Sequence, residues 1–240
     1  MKIACHQPYY MPWAGYFHKM SAVDKFVVLD DVQYIRRAYF NRARILTQGE
    51  RKWITVPVNF RNRAKISEVQ TVGRQWFGKH AKTIRQSYAK APYARAVLDL
   101  IDSVEMNVQT WRLPISLSDA TMYMIDALRR RLMIRTPVMF SSMIDYEPAA
   151  KGERIVNICK ELHADVYVAG SGASRDYIDP EEFHRVGIRV EWQSFKAEHY
   201  GQFGVSEFVP GLSVIDMIAN VGTAGAAEYV RRCGTVKEKI

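Results

Sequence analysis

The feature that most restricts the fold is a repeated hand-off from a short apolar run, through a polar turn, to a helical pattern. It opens the chain: KIACH leads through a proline-rich loop into PWAGYFHKMSAVD and then KFVVLD. KFVVLD is continuously apolar after its lysine, as expected of a strand covered on both faces. The last third repeats the device. PVMFSSMI reads as a strand, GERIVNICKELH as a helix, DVYVAG as a strand, PEEFHRVG as a short proline-led helix and IRVEWQSF as another strand. Strands and helices alternating over short connections favour a mainly parallel sheet with helices on both faces. The expected fold is therefore a Rossmann-like three-layer α/β sandwich.

The middle breaks this rhythm. RKWITVPVNF reads as a strand, with Pro57 marking an edge or a bulge. From Gly78 to about Asn107 the pattern is helical, split at Ala91-Pro92. Ser118-Asp119 reads as the cap of a long helix, TMYMIDALRRRLMI, with apolar residues at 122, 125, 128 and 132 and a stop at Thr136-Pro137. LSVIDMIANVG and GAAEYVRRCG finish the chain as two helices, each followed by glycine. No repeat or Gly/Ser linker divides the 240 residues. They read as one α/β domain over 1–240, with roughly 50–115 as a largely helical insertion or subdomain.

Composition narrows the class further. Hydrophobic residues make up 48% and charged residues 25%, an ordinary globular balance. No apolar run has the length of a membrane span, and Lys2 is followed by only three apolar residues before His6, too few for a signal-peptide core. Cys5, Cys159 and Cys233 are odd in number and far apart, which opposes a disulfide framework and a CxxC metal site. A cytoplasmic protein is expected. The net charge of +9 gathers around Arg36-Arg37, Arg42, Arg44, Arg51-Lys52, Arg61, Arg63, Lys65 and Arg129-Arg130-Arg131. Such a surface meets solvent, nucleic acid, anionic lipid or a phosphorylated small molecule. No nucleic-acid module accompanies it, so a phosphate-bearing substrate is the expected partner rather than nucleic acid.

In open α/β sheets, ligands bind beyond the carboxyl ends of the strands. Here those ends carry His6-Gln7, Asp30-Asp31 with Gln33, Ser141-Ser142, the run Gly170-Ser171-Gly172-Ala173-Ser174, and, past the last strand, His199-Tyr200. Five polar strand ends together predict a cleft at that rim. His6, held by a stiff proline-rich loop, suits a pre-positioned general base, with Asp30 or Asp31 orienting it through its second nitrogen. The helix after the loop is expected to begin near Pro12-Trp13 and to turn its N–H groups toward an anion. Tyr9, Tyr10, Trp13, Tyr16 and Phe17 are candidates to floor a sugar or base, although Trp13 and Phe17, four apart, equally suit packing of the helix on the sheet. Arg36-Arg37 and Asn41-Arg42 follow the second strand, where arginines suit bidentate contact with phosphate. Cys5 and His6 are strand neighbours pointing to opposite faces, so Cys5 reads as a small buried residue rather than a nucleophile. Ser213 and Asp216 read as the cap and first-turn acid of a helix. With no HxH or HExxH spacing and no GxGxxG after the first strand, neither a metal nor any cofactor is expected.

HQPYYMPWAGYFHKM, FVVLDDVQY, NRARI, VYVAGSGASRDYID, the GIRVEWQ strand, YGQFG and FVPGLSVIDMIANVG resemble the WbqC-like proteins, over almost the whole chain except about residues 60–110. The resemblance implies a role in surface-polysaccharide and deoxysugar biosynthesis, as a transferase placing an acyl or aminoacyl group on an amino sugar. His6, Gln7, Tyr10, Pro12, Trp13, Gly15 and Tyr16 match its first motif, and Asp30, Asp31, Gln33, Asn41 and Arg42 its second. Gly170, Gly172 and Tyr177, then Pro210, Ser213 and Asp216, match the later ones. The expected catalytic group is His6, Asp30 and Asp31. The expected binding group is Gln7, Tyr10, Trp13, Tyr16, Gln33, Asn41, Arg42, Gly170, Ser171, Gly172, Tyr177 and His199, with a nucleotide sugar and an activated acyl donor as small-molecule partners. Two other readings stay open. One is a nucleotidyltransferase-like enzyme, which begins in the same strand-histidine-helix-strand way but with an HxGH spacing absent here. The other is a sugar- or nucleotide-binding accessory protein without catalysis.

Overall fold

The computed structural model describes residues 1–238. Strand β1 (Lys2–His6), helix α1 (Ala14–Ser21) and strand β2 (Lys25–Val28) form the opening unit. A long excursion follows: hairpin strands β3 (Arg42–Thr47) and β4 (Glu50–Thr55), short paired strands β5 (Val58–Asn59) and β6 (Gln70–Thr71), and helices α2 (Trp76–Tyr88), α3 (Ala94–Thr110) and α4 (Leu117–Arg131). The alternating pattern then resumes with β7 (Val138–Phe140), α5 (Lys151–Glu161), β8 (Val166–Gly170), α6 (Pro180–His184) and β9 (Arg189–Phe195). Helix α7 (Val214–Arg232) and strand β10 (Gly234–Lys237) close the described chain.

Six strands make the central sheet in the order β10-β9-β8-β1-β2-β7. All neighbours run parallel except β10, which pairs antiparallel with β9. Counted by appearance, the parallel strands lie 3-2-1-4-5, the doubly wound arrangement in which the winding reverses between the first strand and the fourth. Here that is β1 and β8. Alternation along β1 feeds two cores: Ala4 packs with Phe17, Met20, Phe26 and Val28 on the face of α1 and α7, while Ile3 and Cys5 join Val27, Tyr167 and Phe183 on the face of α5 and α6. Each of these larger side chains contributes roughly 2 kcal/mol by leaving water.

Several boundaries differ from the sequence expectation. Helix α1 starts at Ala14, not at Pro12-Trp13. Trp13 is its extended cap residue, and the Pro12 carbonyl accepts the Val214 N–H at 2.9 Å, which ties the loop to α7. The cap of α4 is Ser116, whose hydroxyl accepts the Asp119 N–H at 3.0 Å, and Ser118 is buried in the first turn. RKWITVPVNF is not one strand. It breaks at Val56-Pro57, between β4 and β5, and its first part pairs back with β3, which Arg42 opens, through a tight two-residue turn at Gln48 and Gly49, both left-handed (φ 53° and 78°). The glycine break expected near the end is present at Gly222 within α7, and β10 had no counterpart in the sequence reading.

Candidate functional site

A hollow of about 470 Å³ opens at the carboxyl rim beside β1 and β8, where the winding reverses. Opposed crossovers leave a crevice there, which is why ligands favour this place in doubly wound sheets. Three strand ends wall it: His6-Gln7 after β1, Gly170 to Ser174 after β8, and Gln193 with Phe195 on β9. Helix α1 adds Tyr16 and Lys19, and the loop before it adds Tyr9 and Trp13. That loop is fastened from outside. Tyr10 N–H donates to the Tyr39 carbonyl at 3.0 Å, and Met11 is held at φ 44°, a conformation that costs a residue with a side chain on the order of 1 kcal/mol.

His6 lies between Tyr9 and Tyr16, whose rings meet it edge-on at 4.6 and 4.9 Å. Its Nδ1 is 3.0 Å from the Gln7 carbonyl. A carbonyl only accepts, so the proton sits on Nδ1 and the Nε2 lone pair is left to take another. Burial, reinforced by the nearby Lys19 charge, pushes the imidazole down to about 3, so it is neutral at pH 7. Lys19 itself is 2% exposed. Its Nζ donates to the Cys5 carbonyl at 3.0 Å and stands 5.9 Å from the Tyr167 ring centre. Among the described residues it has no carboxylate within 4.0 Å. Burial lowers it to about 8, so it is still mostly protonated at pH 7. Burial also pushes the Cys5 thiol up to about 12, which removes it as a thiolate.

The expected carboxylate partner of His6 is a correction. Asp30 and Asp31 follow β2, whose neighbour at the sheet edge is β7, and they are taken by the residues after β7. Ser141 Oγ donates to Asp30 at 3.2 Å and to Asp31 at 2.5 Å; Ser142 donates to Asp30 through N–H at 3.0 Å and Oγ at 2.7 Å; the Tyr146 hydroxyl donates to Asp31. Neither aspartate hydrogen-bonds the imidazole. Of the five polar strand ends, two border the hollow, two clasp each other, and His199-Tyr200 lies elsewhere.

Other expected binding residues also lie elsewhere. Tyr10 is buried, its hydroxyl 3.0 Å from His80 Nδ1. Gln33 bridges to Lys65, and Asn41 Nδ2 donates to the Val56 carbonyl at 2.8 Å inside the core. His199 stacks on Phe208 and lines a separate depression with Gly201 and Gln202. Asp216 is more than a first-turn acid: buried, it accepts from Tyr200 at 2.7 Å and from Gln202 at 2.9 Å, joining the YGQFG stretch to α7. Gln7, Trp13, Tyr16, Gly170, Ser171, Gly172 and Tyr177 do border the hollow. Arg42 lies outside it, its guanidinium 4.0 Å from the Trp53 ring centre with Arg44 at 4.6 Å. A row of rings links the two places: Tyr9 stacks on Tyr39 at 5.4 Å, and Tyr39 meets Trp53 at 5.3 Å.

The model of the WbqC-like protein family matches residues 7–228, nearly the whole described fold and almost all of this hollow. The chain belongs to that family. This WbqC-like protein is also 34% identical over 236 residues to "Uncharacterized protein Rv1507c" of Mycobacterium tuberculosis (strain ATCC 25618 / H37Rv), covering 97% of this chain and 98% of that one. No solved structure matches it. No helix among the described residues of the WbqC-like chain is long and apolar enough to cross a membrane.

Three residues of the WbqC-like hollow escaped the sequence reading. Gln193 and Phe195 sit on a strand that reads as core, and Phe195 meets the Trp13 indole edge-on at 5.4 Å. Lys19 looks like any surface lysine. Its one sequence signal is the three-residue spacing from Tyr16, which puts both on one helix face.

Proposed function

We propose that this WbqC-like protein transfers an acyl or aminoacyl group to the amine of a nucleotide-linked amino sugar in surface-polysaccharide biosynthesis. The observation that carries this reading is a neutral imidazole beside three aromatic side chains in a hollow at the winding reversal. Tyr9 and Trp13 offer apolar surface to a sugar ring, with Tyr16 buried behind the imidazole, while His6 faces the amine. As the amine nitrogen bonds to the acyl carbon, its proton passes to Nε2 of His6 and the donor's leaving group departs. Backbone N–H groups of the 170–173 loop serve the developing oxyanion. The ring row toward Trp53 gives the nucleotide a stacking surface, with Arg42 and Arg44 beside it for the diphosphate.

One observation favours a second reading, ligand binding without chemistry: an imidazole depressed to about 3 is a weak base. A single series separates them. Amino-sugar nucleotides and acyl or aminoacyl donors are first screened for a rise in melting temperature, since ligands of the native state raise it. With the active pair, His6→Ala is expected to lower turnover by roughly 10²-fold with affinity kept. Unchanged turnover removes His6 from the chemistry. Saturable binding with no product, tolerated by His6→Gln, establishes the second reading.

A further inference from the structure

Lys19 is a buried cation that the chemistry above leaves unused. A buried ammonium without an anion is costly, and proteins answer that cost by pairing the charge, by deprotonating it or by binding a ligand there. Pairing within the chain is absent among the described residues, as set out above. The Cys5 carbonyl accepts one of the three Nζ–H bonds and leaves two. The last turn of α1 favours a cation, but that effect is a fraction of the cost of burial.

The surroundings of Nζ match an oxyanion. The described residues bordering the hollow include no aspartate or glutamate, and Lys19 is the one lysine among them, with no arginine. Ser174 Oγ and the Tyr177 hydroxyl, 3.3 Å apart, stand on the same wall as neutral donors. At Gly170 a methyl group would sit 4.0 Å from Nζ and 3.6 Å from Ser174 Oγ, so the missing side chain keeps the space between ammonium and hydroxyl clear. At Gly172 the corresponding direction meets nothing within 4 Å.

We propose that Lys19 and the loop from Gly170 to Tyr177 form an anion subsite in the hollow, filled by a carboxylate or phosphate group of a substrate. Only the choice of molecule rests on the transferase reading, in which a carboxylate is a second acid group carried by the transferred unit, apart from the activated acyl carbon, and a phosphate belongs to the activated donor or to the nucleotide. The bound anion also acts on His6. It offsets the Lys19 charge, one of the two causes that depress the imidazole, and so makes His6 a better proton acceptor once substrate is present.

The test is melting of the full chain with inorganic phosphate, pyrophosphate, acetate or glycine, each at ionic strength matched with sodium chloride. In the wild type at least one anion is expected to raise Tm by a few degrees at saturation, and the phosphate and carboxylate arms tell the two sources apart. Lys19→Met should abolish the rise. Gly170→Val, which fills the gap and leaves the charge in place, should abolish it as well. No rise with any of the four in the wild type overturns the subsite, as does an equal rise in the Lys19→Met protein. Since neither acceptor sugar nor turnover enters the measurement, loss of the transferase reading leaves this result standing, and the reverse also holds.

Discussion

Lys19 makes a prediction that needs no ligand. In the unfolded chain it titrates at the ordinary lysine value of 10.5, and in the native protein near 8. Between those values the unfolded state holds a proton that the native state has released, so Lys19 adds an upward slope to stability from pH 8 to 10.5. Below pH 8 both states are protonated and the full cost of burial remains, up to about 3 kcal/mol. Lys19→Met should therefore be more stable than wild type at pH 7, and the gap should close as pH rises toward 10.5. Denaturant melts of both proteins at pH 7 and pH 10 check this; a constant gap would mean the native lysine keeps its proton throughout. The same residue marks the limit of sequence reading. His6 was legible because it ends a strand. Lys19 was not, because nothing local distinguishes it from a solvated lysine. The aspartates misled for another reason: paired acids after a strand resemble a partner for His6, but which strand end lies beside them depends on sheet order.

At the scale of elements, alternating β and α segments were readable and the hairpin was not. Its turn, Gln48-Gly49, lacks the Asn-Gly or Asp-Gly signal that announces a two-residue hairpin, and β4 is exposed at five of six positions, so no alternation marks it. The break in α7 was readable because glycine is its cause. Gly222 has φ 75° and ψ 173°, a region closed to residues with a side chain, and a methyl there would approach the Tyr93 ring at 2.9 Å. Tyr93 belongs to the break, since its N–H donates at 2.8 Å to the Ala219 carbonyl left open at the end of the first segment. Gly222→Ala combines backbone strain with displacement of a ring between α3 and α7. A loss of about 2–4 kcal/mol is expected, lowering Tm by roughly 5–15 °C. An unchanged Tm would show that the two halves of α7 can join as one straight helix.

For the whole molecule, the doubly wound order explains why one end of the sheet gathers chemistry, and it explains an expected weakness toward acid. Three histidines are held neutral by burial: His6, His80 and His18, the last with its Nδ1 2.9 Å from Gln193 Nε2. His6 is pushed to about 3 by burial and by Lys19, with Tyr9 and Tyr16 the other groups against it. His80 is pushed to about 4 by burial; its Nε2 is 3.2 Å from the Thr55 carbonyl, which fixes that nitrogen as the donor and leaves Nδ1 to accept from Tyr10. This histidine thereby joins α2, β4 and the loop that carries the hollow. Above pH 6.5 both states are neutral there and no effect arises. From pH 6.5 down through 4 and then 3, the unfolded chain gains protons that the native state refuses, so stability falls. By pH 5 His80 contributes a loss of about 2 kcal/mol and His6 somewhat less, because water reaches the hollow; His18 adds in the same direction. The window from 6.5 to 5 isolates them, because ordinary carboxylates have barely begun to titrate. Denaturant melts at pH 7 and pH 5 should differ by a few kcal/mol in wild type, and His80→Gln, whose amide can still donate to Thr55, should lose about 2 kcal/mol of that difference. Equal stability at the two pH values in wild type would mean that none of the three imidazoles resists protonation in the native state, and the loop holding His6 would then be open to solvent rather than clamped between α2 and α7.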